Sequence, residues 1–149
     1  MGIDGQATEI LDRASVSLRR ALTTHVRSED VADAVGEAIA YGWEHRERLV
    51  TMDNPTGYLY RVAQSHTRRR RSGFLIWPEA DFTPEVEPGL VPALRRLPDQ
   101  QLRAVWLVVG CGWSHREVGE ALGVTASTIS THVCRGLESV RAEMGVVSS

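Results

Sequence analysis

Lysine is absent from this 149-residue chain, whose 17 basic residues are all arginine. With plentiful Ala, Gly and Val, that is the composition of a GC-rich coding sequence and carries no chemistry by itself. Cysteine is nearly absent too. Cys111 and Cys134 are too few for a disulfide framework, and neither forms a paired-cysteine metal pattern with the five scattered histidines, so reduced thiols and no metal are expected. Long apolar runs are missing: charge interrupts each within about a dozen residues, and the amino terminus shows neither an apolar core segment nor a small-residue cleavage site. The expectation is a cytoplasmic protein without membrane insertion. No nucleophile, base and orienting group form a recognisable set, and there is no glycine-rich phosphate loop, so neither catalysis nor a cofactor is expected. Glu44, Glu47 and Asp53 surround an expected loop without the spacing of metal ligands.

What is present is an apolar fraction of 42%, ordinary for a folded chain, and a net charge of -2 that says little about nucleic acid, because binding depends on where charge sits. The distribution is uneven. Residues Met1 to Ser72 carry 11 Arg against 10 acids, Gly73 to Pro92 carry 4 acids and no base, and Ala93 to Ser149 carry 6 Arg against 5 acids. The middle segment, GFLIWPEADFTPEVEPGLVP, holds four of the six prolines, a density that excludes a continuous helix. We therefore expect an all-α chain of two small helical domains, residues 1–72 and 93–149, joined by a Pro-rich acidic linker, residues 73–92. Phe74, Leu75, Ile76 and Trp77 make part of that linker apolar enough to dock.

Leu11, Ala14, Leu18, Ala21 and Leu22 recur at helical spacing, and Val31, Val35, Ala38, Ile39 and Gly42 repeat the pattern after a polar break. Asn54-Pro55, a side-chain acceptor followed by a proline in the first helical position, opens a third helix through GYLYRVAQSHTRRRR. Leu90, Leu94 and Leu97 predict a short helix, and Pro98 opens the next, DQQLRAVWLVV, ended by Gly110 and Gly112. Ser114 with Glu117 forms a capping-box pattern for a helix from His115 to Leu122. Gly123 stops it, and Thr125 caps a last helix reaching about Met144.

SHREVGEALGVTASTISTHVCRGLESVR thus reads as two helices joined by a glycine-containing turn, the pattern of a DNA-binding helix-turn-helix, beside the alternative of an ordinary helical hairpin. At 100° per residue the last helix buries Ile129, Val133, Leu137 and Val140. Its other side shows Ser127, Thr131, Cys134 and Arg135, flanked by Thr128 and Ser130. The start of such a helix enters the major groove, which makes Ser127, Thr128, Ser130, Thr131 and Arg135 the candidate contacts. Glu138 faces the same way and would repel phosphate. A second constellation is Arg61 with Arg68, Arg69, Arg70 and Arg71, five bases without an acid, beside Tyr58 and Tyr60. Rings that stack on bases and arginines that track a backbone suit single-stranded or distorted DNA, although the tyrosines fit a core equally well.

These stretches resemble the sigma-70 family, in particular its short extracytoplasmic-function type, which keeps only regions two and four. DVADAVGEAIAYGW, NPTGYLYRVA and LRRLPDQQLRAVWLVVGCGWSHREVGEALGVTASTIS carry the resemblance, over roughly Glu29 to Arg71 and Leu94 to Arg141. It implies that Asp30, Asp33 and Glu37 dock on core RNA polymerase. The loop and basic helix of Asn54, Tyr58, Arg61 and Arg68 to Arg71 would open the minus-10 element of promoter DNA, and the last helix would read the minus-35 element. The linker would thread toward the active-site cleft, and an anti-sigma protein is an expected partner.

Several positions depart from the family pattern. Gly36 stands where Gln is usual, Ser130 and His132 replace positions that are often basic, and Leu102 and Val108 replace frequent arginines. Two other readings remain at this point: a helix-turn-helix regulator that acts without polymerase, and a sigma-like module whose first domain only binds protein.

Overall fold

The computed structural model describes residues 2–24, 26–67 and 89–145, and among these the chain is helical with no strand. In chain order the elements are α1 (Ile3–Leu22), α2 (Ser28–Glu44), α3 (Arg46–Leu49), α4 (Pro55–Thr67), α5 (Leu90–Arg95), α6 (Asp99–Val105), a π-helical turn (Trp106–Gly110), α7 (His115–Leu122) and α8 (Ala126–Glu143). The expected run of the third helix through Arg68 to Arg71, and most of the proline-rich linker, lie outside the described residues.

Helix α1 begins eight residues before the periodic pattern at Leu11 and buries Ala7, Leu11, Ala14, Leu18, Ala21 and Leu22. Asp4 in its first turn and Arg19 and Arg20 in its last complement the helix dipole. The alanines on the stripe let neighbouring helices approach closely. Helix α2 packs Val31, Ala34, Val35, Ala38 and Gly42 inward, and α4 contributes Leu59, Tyr60 and Ala63. The single turn α3 escaped the periodicity because four residues are shorter than one hydrophobic repeat; it plugs Leu49 into the core at 1% exposure. At the other end, Ala93, Leu94, Leu97, Leu102, Val105 and Val140 form a smaller core between α5, α6 and α8.

The two halves share apolar packing. The larger core joins Leu18, Leu22 and Tyr60 of the amino-terminal half to Ala104, Leu107, Val118 and Ile129 of the carboxyl-terminal half. Trp106 and Leu137 touch both cores. Leu102, one of the departures from the family pattern, is completely buried in the smaller core.

One expected helix is corrected. The run that opens at Pro98 does not continue regularly to Val109: after Val105 it widens into the π-helical turn, where Cys111 N–H donates to the Trp106 carbonyl at 2.9 Å and Trp113 N–H to the Leu107 carbonyl at 2.9 Å. The inserted residue lets the Trp106 indole lie over Gly110, where a Cβ would collide with the ring.

Gly36, by contrast, sits exposed in the middle of α2 with open space around its missing Cβ. A glycine at an unstrained helical position costs about 0.5–1 kcal/mol relative to alanine. Gly36→Ala is expected to raise the stability of the chain by about that amount, read as an increase in the urea midpoint.

Candidate nucleic-acid interface

The helix-turn-helix is assembled by local chemistry. Ser114 Oγ accepts from Glu117 N–H at 3.0 Å while Glu117 Oε1 accepts from Ser114 N–H at 2.9 Å, completing the capping box that starts α7. Gly123 ends α7 at φ +76°, a left-handed cap that favours glycine, and its N–H and that of Val124 both donate to the Gly119 carbonyl. Thr125 Oγ1 then accepts from Thr128 N–H at 3.1 Å and starts α8. Four residues after the Ser114 cap, Val118 is buried, as are Gly119 and Ala121, and these rest against α8.

On α8 the buried stripe is Ile129, Val133, Gly136 and Val140, with Leu137 half-buried. Ser127, Ser130, Thr131, Cys134 and Arg135 are exposed and Thr128 is half-exposed, so the five candidate residues share the outward surface of one helix. Two are partly occupied: the Thr128 hydroxyl meets that of Thr125 at 2.9 Å, and Thr131 Oγ1 donates to the Ser127 carbonyl at 3.2 Å. Glu138 Oε1 accepts weakly from Cys134 Sγ at 3.9 Å.

The two thiols differ sharply. Burial pushes the Cys111 thiol up to about 11, against a smaller lowering by Arg20, whereas Cys134 is exposed on α8. Since a thiol of that pKa is only about 0.1% thiolate at pH 8, Cys111 should react slowly. Titration with a chromogenic disulfide reagent is expected to show one fast thiol, removed by Cys134→Ser, and one slow thiol.

The second constellation divides. Tyr60 is completely buried, with its ring edge-on to Trp113 at 5.7 Å and its hydroxyl accepting from Gln64 Nε2 at 3.0 Å, so it belongs to the core and cannot stack on a base. Tyr58 is half-buried; its hydroxyl donates to that of Tyr41 at 3.1 Å and the Arg48 guanidinium lies 5.9 Å from its ring centre. The bond to Tyr41, then burial, raises the Tyr58 pKa, with Arg48 opposing. Asn54 Oδ1 accepts from Gly57 N–H at 3.0 Å and caps α4, as the Asn-Pro pattern predicts. Arg61 is exposed. Arg68, Arg69, Arg70 and Arg71 lie outside the described residues.

Helix α7 rests on this loop. Asn54 Nδ2 donates to the Glu117 carbonyl and to Glu120 Oε2, each at 3.3 Å, and Arg116 reaches Asp53 at 3.7 Å and Glu120 at 3.0 Å. A cleft of about 310 Å³ between them is lined by Met52, Asp53, Asn54, Tyr58, Arg61, Arg116 and Glu120. Arg116 and Glu120 pair with each other at i,i+4 spacing, but nothing local in the sequence points them at this loop, because Asp53 and Asn54 lie more than 60 residues away. Asp53 is an ion-pair partner here. Among the described residues no group of three or more His, Cys, Asp or Glu side chains could hold a metal ion, and no helix is long and apolar enough to cross a membrane.

The proposed docking residues sit apart from both constellations. Asp33 and Glu37 are exposed one turn apart on α2, with Asp30 half-exposed one turn before them. Farther along the same helix Trp43 is 40% exposed, with the Arg46 guanidinium 4.6 Å from its ring centre.

Residues 90–140 match the family described as Sigma-70, region 4. No curated protein sequence matches the chain. Two solved structures are similar in fold. The sigma factor RpoE from Bartonella quintana, in a co-crystal with the anti-sigma factor NepR, superposes with a TM-score of 0.72 at 18% identity, covering 95% of this chain and 98% of that one. CnrH, in complex with the cytosolic domain of CnrY, superposes with a TM-score of 0.68 at 20% identity, covering 95% and 89%. Residues 90–140 thus resemble region 4 of the sigma-70 family, and over nearly its whole length the chain shares the fold of these two solved structures.

Proposed function

We propose that this chain is an RNA polymerase sigma factor: a non-catalytic, cytoplasmic adaptor that joins core polymerase to promoter DNA. The observation that carries the reading is the region 4 match over residues 90–140, in which α8 turns Ser127, Ser130, Thr131 and Arg135 outward on a capped helix-turn-helix. In this reading residues 93–149 form the minus-35 domain, residues 1–72 the domain that docks on polymerase and opens the minus-10 element, and residues 73–92 the tether. Asp30, Asp33 and Glu37 meet the polymerase; Asn54, Tyr58, Arg61 and Arg68 to Arg71 face the opened strand. The similarity in fold to RpoE, solved with NepR, supports an anti-sigma protein as a further partner. A polymerase-independent regulator would have no use for an amino-terminal half folded like that of a sigma factor.

The test is run-off transcription with core polymerase on a genomic promoter library, beside co-elution of the chain with core enzyme. Transcripts and co-elution that both depend on the chain are expected; a chain that binds duplex promoter DNA but neither binds nor redirects polymerase would overturn the proposal. Arg135→Ala is expected to weaken promoter binding by about 1–3 kcal/mol if Arg135 contacts a base edge, or to lower the salt slope by about one if it contacts a phosphate. Promoter duplex should also protect Cys134 from the thiol reagent while leaving the slow phase unchanged.

A further inference from the structure

We propose that Asp4 and Arg46 are positioning residues for strand opening: the amino end of α1, acting through one arginine, sets the loop that faces the opened strand. The inference rests on the sigma-factor reading for the identity of the strand, while the arrangement is read from contacts. Arg46, the first residue of α3, uses its guanidinium three times. Nε donates to Asp4 Oδ1 at 2.7 Å, Nη1 donates to the Trp43 carbonyl at 3.0 Å, and the central carbon lies 4.6 Å from the centre of the Trp43 ring. The Trp43 carbonyl belongs to the last turn of α2, which has no basic residue of its own, and Asp4 sits in the first turn of α1. The ion pair therefore joins the negative end of one helix dipole to the positive end of another, with each charge of the favourable sign.

The loop depends on α3 for its placement. Four residues make no stable helix by themselves, so α3 is held by its anchors. Leu49 enters the core and gives one point of attachment, about which the turn could still rotate. Arg46 gives the second and removes that freedom. The loop hangs from the same turn: the N–H groups of Val50, Thr51 and Met52 donate to the carbonyls of Arg46, Arg48 and Leu49 at 3.1, 3.1 and 3.2 Å. Met52, Asp53 and Asn54 follow directly and line the cleft with Tyr58 and Arg61, so a rotation of α3 carries them with it. A preformed loop takes its ligand without the ordering cost that a loose one meets. Neither Asp4 nor Arg46 lines the cleft, and both act on the strand through the loop.

The sign of the effect of Asp4→Asn decides the matter. Removing an acid from a DNA-binding chain strengthens its general attraction to phosphate. If Asp4 positions the loop, the same change weakens strand capture instead. Arg46→Lys keeps the positive charge but lacks the planar fork that reaches Asp4 and the Trp43 carbonyl together. Run-off transcription by core polymerase is compared for wild type, both single variants and the double variant, on a promoter recovered from the genomic library as intact duplex and as the same DNA pre-melted across the minus-10 element. Each single variant is expected to lower the duplex-to-pre-melted transcript ratio by about twofold to fivefold, the range of one exposed ion pair. The double variant is expected to fall no further than the weaker single one, because both changes remove the same contact. A ratio unchanged or raised in Asp4→Asn, an equal loss on both templates, or additive losses in the double variant would each overturn the proposal. Asp4 is exposed, so asparagine there leaves the core intact; if circular dichroism shows Arg46→Lys misfolded, Asp4→Asn decides alone. A wild-type chain that yields no transcript from either template overturns the sigma reading and the proposal with it, a result distinct from the other three.

Discussion

Asp33→Arg is expected to abolish co-elution of the chain with core RNA polymerase while leaving its helix content and its binding to duplex promoter DNA intact. Asp33 is exposed on α2, one turn from Glu37, and is not among the residues of the Asn54 cleft or of α8. An exposed substitution away from caps and cores changes stability by about 0.5 kcal/mol or less. Reversing a charge in a docking surface replaces an attraction with a repulsion, and like-charge juxtaposition across an interface costs several kcal/mol. The expected loss of polymerase affinity is therefore at least about a hundredfold, since each tenfold corresponds to about 1.4 kcal/mol. Undiminished co-elution would remove Asp33 from the docking surface. Loss of duplex binding together with loss of co-elution would point to unfolding instead.

Gly119→Ala is expected to lower the stability of the chain and to weaken duplex binding, although the same chemical change at Gly36 raises stability. By helix propensity alone both substitutions favour the folded state by up to about 1 kcal/mol. They differ in what a Cβ would meet. At Gly36 there is nothing within 4 Å, whereas at Gly119 a Cβ would sit 2.7 Å from the Val124 carbonyl oxygen and 3.3 Å from the Ala126 nitrogen. Those are backbone atoms of the turn between α7 and α8, and they cannot rotate away as a side chain can. Overpacking of this kind costs about 1–3 kcal/mol, enough to outweigh the propensity gain. The shift would also tilt α8 against α7, so the angle at which Ser127 to Arg135 meet DNA changes with it. Paired urea denaturation of Gly36→Ala and Gly119→Ala checks the two signs in one experiment; equal midpoint shifts in the same direction would refute the close approach.

Most of the helix-turn-helix was legible because its signals are local. The capping box at Ser114, the stop at Gly123 and the cap at Thr125 each act within four residues, and the structure starts and ends α7 where they direct. The buried stripe of α8 follows from the 3.6-residue period, with Gly136 as an addition, since a glycine carries no apolar signal. Tyr58 and Tyr60 were not separable on the same basis. Both lie near the apolar face of α4, and tertiary packing, with Trp113 edge-on from the other half, makes Tyr60 the buried one. The π-helical turn is a comparable case: no residue in WLVVG forbids an α-helix, and the turn is settled by the seat of Trp106 on α1 and on Gly110.

The residues alone determined the all-helical class, the positions of seven of the eight α-helices among the described residues, the capped helix-turn-helix and the outward surface of α8, because hydrophobic period and end caps are properties of neighbours in the chain. Tertiary structure decided how the two halves meet. That Asn54 and Asp53 face Arg116 and Glu120, and that Trp106 reaches Arg20, depends on pairs 63 to 86 residues apart, and no local preference in the chain encodes an encounter at that distance.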